Sequence, residues 1–357
     1  MNNVRRWIKP AIQAMKAYQV PASTGMIKLD AMENPYSLPD ALKQQWCSEL
    51  KNVEVNRYPD AQAVLLKKKL REVMAIPEDM GIVLGNGSDE LIQIIAMALA
   101  QPDRTYIAPE PSFVMYQYIA GIVDVRFAGV PLNNDDFSLD RNTMLDAIEE
   151  HQPAVIFLAY PNNPTGNLFD KTIIIDVVRN APGLVVLDEA YHAYSRESFI
   201  PRLDRFENLL VLRTLSKSGL AGLRLGFLAG SPEWLNEFEK IRLPYNINVL
   251  SQMTAEFILS HHEVLDAQTQ QVCRSRETLF SNLVQIDGIQ VWPSSANFIL
   301  FRPRAQKAND IFTGLRQQGI LIKNLHGSHP ALSQCLRVTV GTESENTAFI
   351  TALKQLL

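Results

Sequence analysis

Leu209-Leu210-Val211-Leu212-Arg213-Thr214-Leu215-Ser216-Lys217-Ser218-Gly219 is the stretch from which the fold of this chain can be read. Its first four residues form an unbroken apolar run, the pattern of a strand covered on both faces by helices in a parallel sheet. The run gives way to small polar residues around one lysine, and Arg224 follows seven positions later. The same pattern recurs upstream. Val185-Val186-Leu187 leads into Asp188-Glu189-Ala190-Tyr191, and the apolar run 154–159 leads into Tyr160-Pro161-Asn162-Asn163-Pro164-Thr165-Gly166. Further strand candidates cover 82–84, 105–108, 123–127, 184–187 and 225–229, with helix-length segments such as 139–150 and 172–179 between them. This alternation predicts an α/β core with a mostly parallel sheet.

Beyond about residue 245 the rhythm changes. Residues 251–284 read as one or two amphipathic helices, followed by strand-like runs at 289–292, 297–302, 320–323 and 336–340. We therefore expect an N-terminal arm and part of a small domain over 1–50, a large domain over 51–250, and a small domain over 251–357. The chain is long enough, and at 46% hydrophobic content apolar enough, to bury such a core.

Composition narrows the function classes. A net charge of −4 and the lack of basic runs argue against nucleic-acid binding. Residues 1–9 lack the apolar stretch of a signal peptide, and no apolar run is long enough to span a bilayer, so a cytoplasmic protein is expected. Cys47, Cys273 and Cys335 are widely spaced and read as reduced thiols, and His261-His262 reads as a surface pair, so no metal is expected.

In an open α/β sheet, ligands sit at the carboxyl ends of the strands, where the polar candidates of this chain fall. A lysine, an aspartate, an asparagine and a tyrosine placed there are the groups that hold an aldehyde cofactor as a Schiff base and make its ring an electron sink. That combination points to pyridoxal 5'-phosphate. Lys217 is the candidate catalytic residue, although alone it could be a surface turn lysine. Burial beside a cation such as Arg224 would free its amine for imine formation. Asp188, otherwise a helix cap, suits a protonated pyridine nitrogen. Tyr191 and Asn162 suit the phenolic oxygen, and Asn162 is also a turn residue by composition. Gly85-Asn86-Gly87-Ser88-Asp89 opens a helical run, so Ser88 and Asp89 can offer backbone N–H groups to a phosphate, with Ser216 and Arg224 completing the site. The third glycine of a dinucleotide fingerprint is replaced by Glu90, which disfavours a nucleotide. Arg337, mid-strand in the small domain, is either half of a salt bridge or a clamp for an anionic substrate.

Taken together these motifs resemble the fold-type-I pyridoxal-phosphate aminotransferases, and within them the histidinol-phosphate aminotransferase family. The blocks that carry the likeness are Leu29-Asp30-Ala31-Met32-Glu33-Asn34-Pro35-Tyr36, Asn56-Arg57-Tyr58-Pro59-Asp60, Pro111-Ser112-Phe113-Val114-Met115-Tyr116 and Leu336-Arg337-Val338-Thr339-Val340-Gly341-Thr342. The resemblance runs from about residue 25 to the C-terminus. It implies that Phe113 stacks on the cofactor ring and that Arg337, with Asn34 and Lys323, contacts substrate. It also implies that Tyr58 reaches the cofactor phosphate of a second subunit in a homodimer. Its expected reaction is transamination between L-histidinol phosphate and 2-oxoglutarate. The chain departs from many relatives at Met32 and at Lys323, where they carry asparagine and arginine. An aromatic amino acid aminotransferase and a phosphothreonine-type decarboxylase are the neighbouring activities, and a non-catalytic cofactor-binding regulator is a third reading.

Overall fold

A computed structural model describes residues 4–17, 21–305 and 307–357. Parts of the expected N-terminal arm, residues 1–3 and 18–20, lie outside the described residues. The strands are β1 (Ile27–Lys28), β2 (Gly81–Asn86), β3 (Thr105–Glu110), β4 (Arg126–Pro131), β5 (Val155–Ala159), β6 (Leu184–Asp188) and β7 (Leu209–Thr214). They continue with β8 (Leu225–Gly230), β9 (Ile289–Val291), β10 (Phe298–Pro303), β11 (Ile320–Leu321), β12 (Lys323–Asn324) and β13 (Leu336–Thr339).

Seven strands form the large sheet in the order β2-β8-β7-β6-β5-β3-β4. Only β8 runs against its neighbours; the other pairings are parallel. Every residue of β5, β6, β7 and β8 is buried, which is why these strands are written as continuous apolar runs. Alternate residues feed opposite cores. Val185, Leu187, Leu209 and Val211 join one apolar cluster, while Leu184, Val186, Leu210 and Leu212 join the other.

The small sheet is antiparallel, in the order β12-β13-β10-β9. Residues expected as one strand over 320–323 divide between two sheets: β11 pairs in parallel with β1, and β12 pairs with β13. The early segment thus adds a short strand to the small body, and Leu29 and Met32 are buried in its core. The helix Asp40–Leu50 instead contributes Leu42 to the large-sheet core and packs on the helix Val249–Leu259. Ala255 and Ile258 of the latter lie in the same core, so the expected boundary at 250 falls within a helix that packs on the large sheet. The amphipathic stretch 251–284 is indeed broken near His261, and the second helix, His262–Val284, runs on into the small body. The strand expected over 123–127 starts at Arg126, because the preceding helix reaches Ile122 and Asp124 turns through a left-handed backbone (φ 61°).

No helix among the described residues is long and apolar enough to cross a membrane. The carboxyl ends of β5, β6 and β7 deliver the 160–166 turn, Asp188 and the Lys217 turn to one edge of the large sheet, facing the small body.

Candidate active site

Lys217 sits in a single π-type turn, Ser216–Leu220, where Gly219 takes φ 118°, a conformation that suits glycine. The turn is pinned from outside. Tyr194 Oη donates to the Lys217 carbonyl at 2.5 Å, and Asn34 Nδ2 donates to the Ser218 carbonyl at 3.4 Å. The Lys217 amine donates to the Ala31 carbonyl at 3.1 Å. Burial, followed by the positive charge of Arg337, lowers its pKa to about 8. Arg224, expected to be the depressing cation, acts in the same direction but less than Arg337.

Asp188 closes β6 with its carboxylate fixed on both oxygens. Tyr116 Oη donates to Oδ2 at 2.7 Å and the Ala190 N–H donates to Oδ1 at 3.1 Å. Burial pushes its pKa up to about 6 against these hydrogen bonds. The neighbouring Tyr191 hydroxyl accepts from Asn163 Nδ2 at 3.1 Å, so its own O–H remains to be given elsewhere. Burial raises the Tyr191 phenol above its ordinary range.

The asparagine expected at the cofactor, Asn162, is committed elsewhere. Its Nδ2 donates to the Pro111 carbonyl at 3.0 Å and to Thr165 Oγ1 at 2.7 Å, and its Oδ1 accepts from Ser112 Oγ at 2.8 Å. It is wholly buried and holds the turn together. Asn163 is the amide that faces the cavity, between Tyr191 and Arg337, whose Nη1 donates to its Oδ1 at 2.5 Å. Of the two amides, Asn163 and not Asn162 lines the cavity. The sequence offers two adjacent amides between prolines and nothing to rank them.

Ser88 begins the helix Ser88–Leu99 immediately after Gly87, whose φ is 86°. A Cβ on Gly87 would lie 2.6 Å from Arg224 Nη2, so the absent side chain is what lets the guanidinium lie against the helix start. Arg224 Nη1 also approaches Ser216 Oγ at 3.4 Å, and Asp89 Oδ2 stands 3.8 Å from Arg224 Nη2. Ser88, Asp89, Phe113, Asn163, Asp188, Tyr191, Ser216, Lys217 and Arg224 all line one cavity of about 540 Å³.

Phe113 and Asn163 also wall an adjoining chamber of about 940 Å³, which contains Lys323 and Arg337. Arg337 is buried, with Nη2 donating to the Asp30 carbonyl at 3.0 Å and its guanidinium 5.1 Å from the Phe298 ring centroid. Besides Asn162, two expected residues lie outside both spaces. Asn34 spends its amide on Ser218, on Gln268 Oε1 at 3.0 Å and on the Tyr36 N–H at 2.9 Å, which makes it a support of the lysine turn. Tyr58 is 81% exposed and stacks on Tyr245 at 4.5 Å, away from the cavity of its own chain. Tyr116, which grips Asp188, was missed by sequence reasoning; its three-residue spacing from Phe113 was the available signal.

These residues fit pyridoxal phosphate. An amine with a lowered pKa meets an aldehyde, a buried carboxylate meets a ring nitrogen, an amide and a phenol meet a phenolic oxygen, and a helix start beside an arginine meets a phosphate.

Residues 24–353 match the family described as aminotransferase class I and II. The chain is 53% identical to histidinol-phosphate aminotransferase 2 of Nitrosococcus oceani over 99% of its length and 98% of that protein. It is 49% identical to histidinol-phosphate aminotransferase 2 of Cupriavidus pinatubonensis over 98% of its length and 96% of that protein. Among solved structures, histidinol-phosphate aminotransferase from Sinorhizobium meliloti in complex with pyridoxal-5'-phosphate shares the fold. Its TM-score is 0.86 at 22% identity, with 98% of this chain and 97% of that one covered. With full-length matches of this kind on a lysine-centred α/β site, the chain belongs to the class I and II aminotransferases, in the histidinol-phosphate aminotransferase family.

Proposed function

We propose that the protein carries out pyridoxal-phosphate-dependent transamination between L-histidinol phosphate and 2-oxoglutarate, giving imidazole acetol phosphate and glutamate, in histidine biosynthesis. The observation that carries this reading is the shared wall of two spaces. Asn163 lines the Lys217 cavity, binds Arg337, and faces a second chamber that also holds Lys323. A reacting carbon beside Lys217 can thus keep an anionic substituent against two cations. The names of the full-length relatives support the same substrate.

Pyridoxal phosphate, when bound, supplies a carbonyl carbon that takes the amino group and a ring that disperses the electron pair left on the substrate carbon. Burial and the charge of Arg337 lower the pKa of the Lys217 amine to about 8, which favours the uncharged form that a Schiff base needs. Lys217 would hold the cofactor through its amine and would serve as the base that takes and returns the proton at the substrate's amine-bearing carbon. Asp188, oriented by Tyr116, holds the proton on the ring nitrogen. Asn163 Nδ2 and the Tyr191 O–H hold the phenolic oxygen. The N–H groups of Ser88 and Asp89, with Ser216 and Arg224, hold the phosphate. Arg337 would grip the substrate phosphate in one half-reaction and the 2-oxoglutarate carboxylate in the other, and because the first product leaves before the keto acid enters the same site, the kinetics would be ping-pong.

We also propose a homodimer in which Tyr58 serves the partner's site. Val55, Tyr58, Leu243 and Tyr245 are exposed apolar residues on neighbouring segments, tied by the Tyr58–Tyr245 stack and by Arg242 Nη2 donating to the Ala61 carbonyl at 3.1 Å. A cytoplasmic setting accords with the three free cysteines.

The test is a cofactor spectrum of the purified protein before and after L-histidinol phosphate is added without a keto acid. Conversion to the amine form of the cofactor, with release of imidazole acetol phosphate, is expected. A response to phenylalanine alone would transfer the assignment to an aromatic aminotransferase. Lys217→Ala should fold normally and show no turnover; a normal rate in that variant would sink the mechanism.

A further inference from the structure

The chamber beside the Lys217 cavity also carries two polar groups that the proposed mechanism does not use: His329 on the small body and Glu110 on the large one. His329 is held by its own turn. Its Nδ1 accepts the backbone N–H of Ala331 at 3.2 Å, which caps the short helical turn Pro330–Leu332. An imidazole nitrogen that accepts carries no proton, so in the neutral ring the proton resides on Nε2. Nε2 stands 3.9 Å from Glu110 Oε2, beyond hydrogen-bond range. The Glu110 carboxylate lies over Gly129, in the space that a Cβ there would fill. The Nε2 donor of His329 thus borders the chamber with no hydrogen bond to the carboxylate nearest to it.

We infer that His329 is a specificity-determining residue for the phosphate end of the substrate, donating from Nε2 to a phosphate oxygen held beside Arg337 and Lys323. The inference rests on the substrate reading proposed above. A carboxylate is bonded directly to the amine-bearing carbon, and its two oxygens match one guanidinium fork. A phosphate ester places its phosphorus farther from that carbon, beyond a methylene and an oxygen, and presents three terminal oxygens. One fork does not satisfy them. Lys323 supplies a point charge and no second fork, which leaves room for a directional donor. Glu110 opposes negative charge that strays toward the large-domain wall, so the phosphate is confined to the side where Arg337, Lys323 and His329 lie. The α-carboxylate of glutamate, shorter and satisfied by Arg337, does not extend to His329.

Two substitutions separate the two ring nitrogens. His329→Asn keeps an acceptor near Nδ1 to cap the turn and removes the donor at Nε2. His329→Gln reaches as far as Nε2 with a donor and gives up the cap. In the cofactor-loaded enzyme, we expect His329→Asn to raise KM for L-histidinol phosphate about tenfold, the worth of one charge-assisted hydrogen bond, with a much smaller change in KM for glutamate. His329→Gln should recover most of that loss. Inorganic phosphate, used as a competitive probe, should weaken by a similar factor in His329→Asn. Equal changes in both KM values, or none in His329→Asn, would overturn the inference. A wild-type enzyme that does not turn over L-histidinol phosphate would refute the substrate reading instead, and phosphate inhibition would still report on His329.

Discussion

A carboxyl buried like that of Asp188, with a pKa of about 6, keeps its proton in the folded chain over a range where the unfolded chain has lost it. Its contribution to stability is therefore full below about pH 4 and is lost as the pH rises through about 6. In the cofactor-free protein, replacing Asp188 with Asn removes this dependence. The melting temperature of the variant relative to wild type should climb between pH 4 and 6 and level off above; parallel curves across that window would show that the carboxyl does not carry the charge penalty. At this scale much of the site could be read in advance. Lys217, Asp188 and Tyr191 follow apolar runs long enough to mark strand ends, and Arg337 interrupts one. The support that Asn34 gives the lysine turn could not be read in advance, because a hydrogen bond to a carbonyl 184 residues away leaves no local trace. The larger effect of Arg337 on Lys217 was hidden for the same reason, since the two residues come from different bodies.

Among the elements, the 160–166 turn shows how one short segment divides structural from chemical work. Asn162→Ala removes two buried hydrogen bonds and one half-buried one and should lower stability by about 2–3 kcal/mol, visible as a reduced denaturation midpoint, while most of the activity of the folded fraction survives. Asn163→Ala should cost more than tenfold in activity, with a smaller loss of stability, because its partners Tyr191 and Arg337 border the cavity. If instead Asn162→Ala weakened cofactor binding at unchanged stability, the assignment of the two amides would be reversed. The buried strands were legible because burial on both faces forces continuous apolar runs. The splitting of residues 320–324 between two sheets was not, because each piece is two residues long and its partner lies elsewhere in the chain.

For the molecule as a whole, the dimer proposal predicts complementation. A Tyr58→Ala chain and a Lys217→Ala chain, each nearly inactive alone, should regain activity on mixing and refolding. The hybrid contains one site with its own Lys217 and the partner's Tyr58. Absence of any gain, with hybrids demonstrated by size and tag, would place Tyr58 outside the chemistry. The sequence shows the two-body division through its change of rhythm near residue 245, but it does not show how the bodies are joined. The helix His262–Val284 answers that. It buries Leu265 in the large-sheet core and Val272, Leu279 and Leu283 in the small-body core. Its 23 residues make a rod about 35 Å long, gripped by different cores toward its two ends. Such a rod is a tie: each core clamps one part of it, so neither body can shift without disturbing the packing of the other.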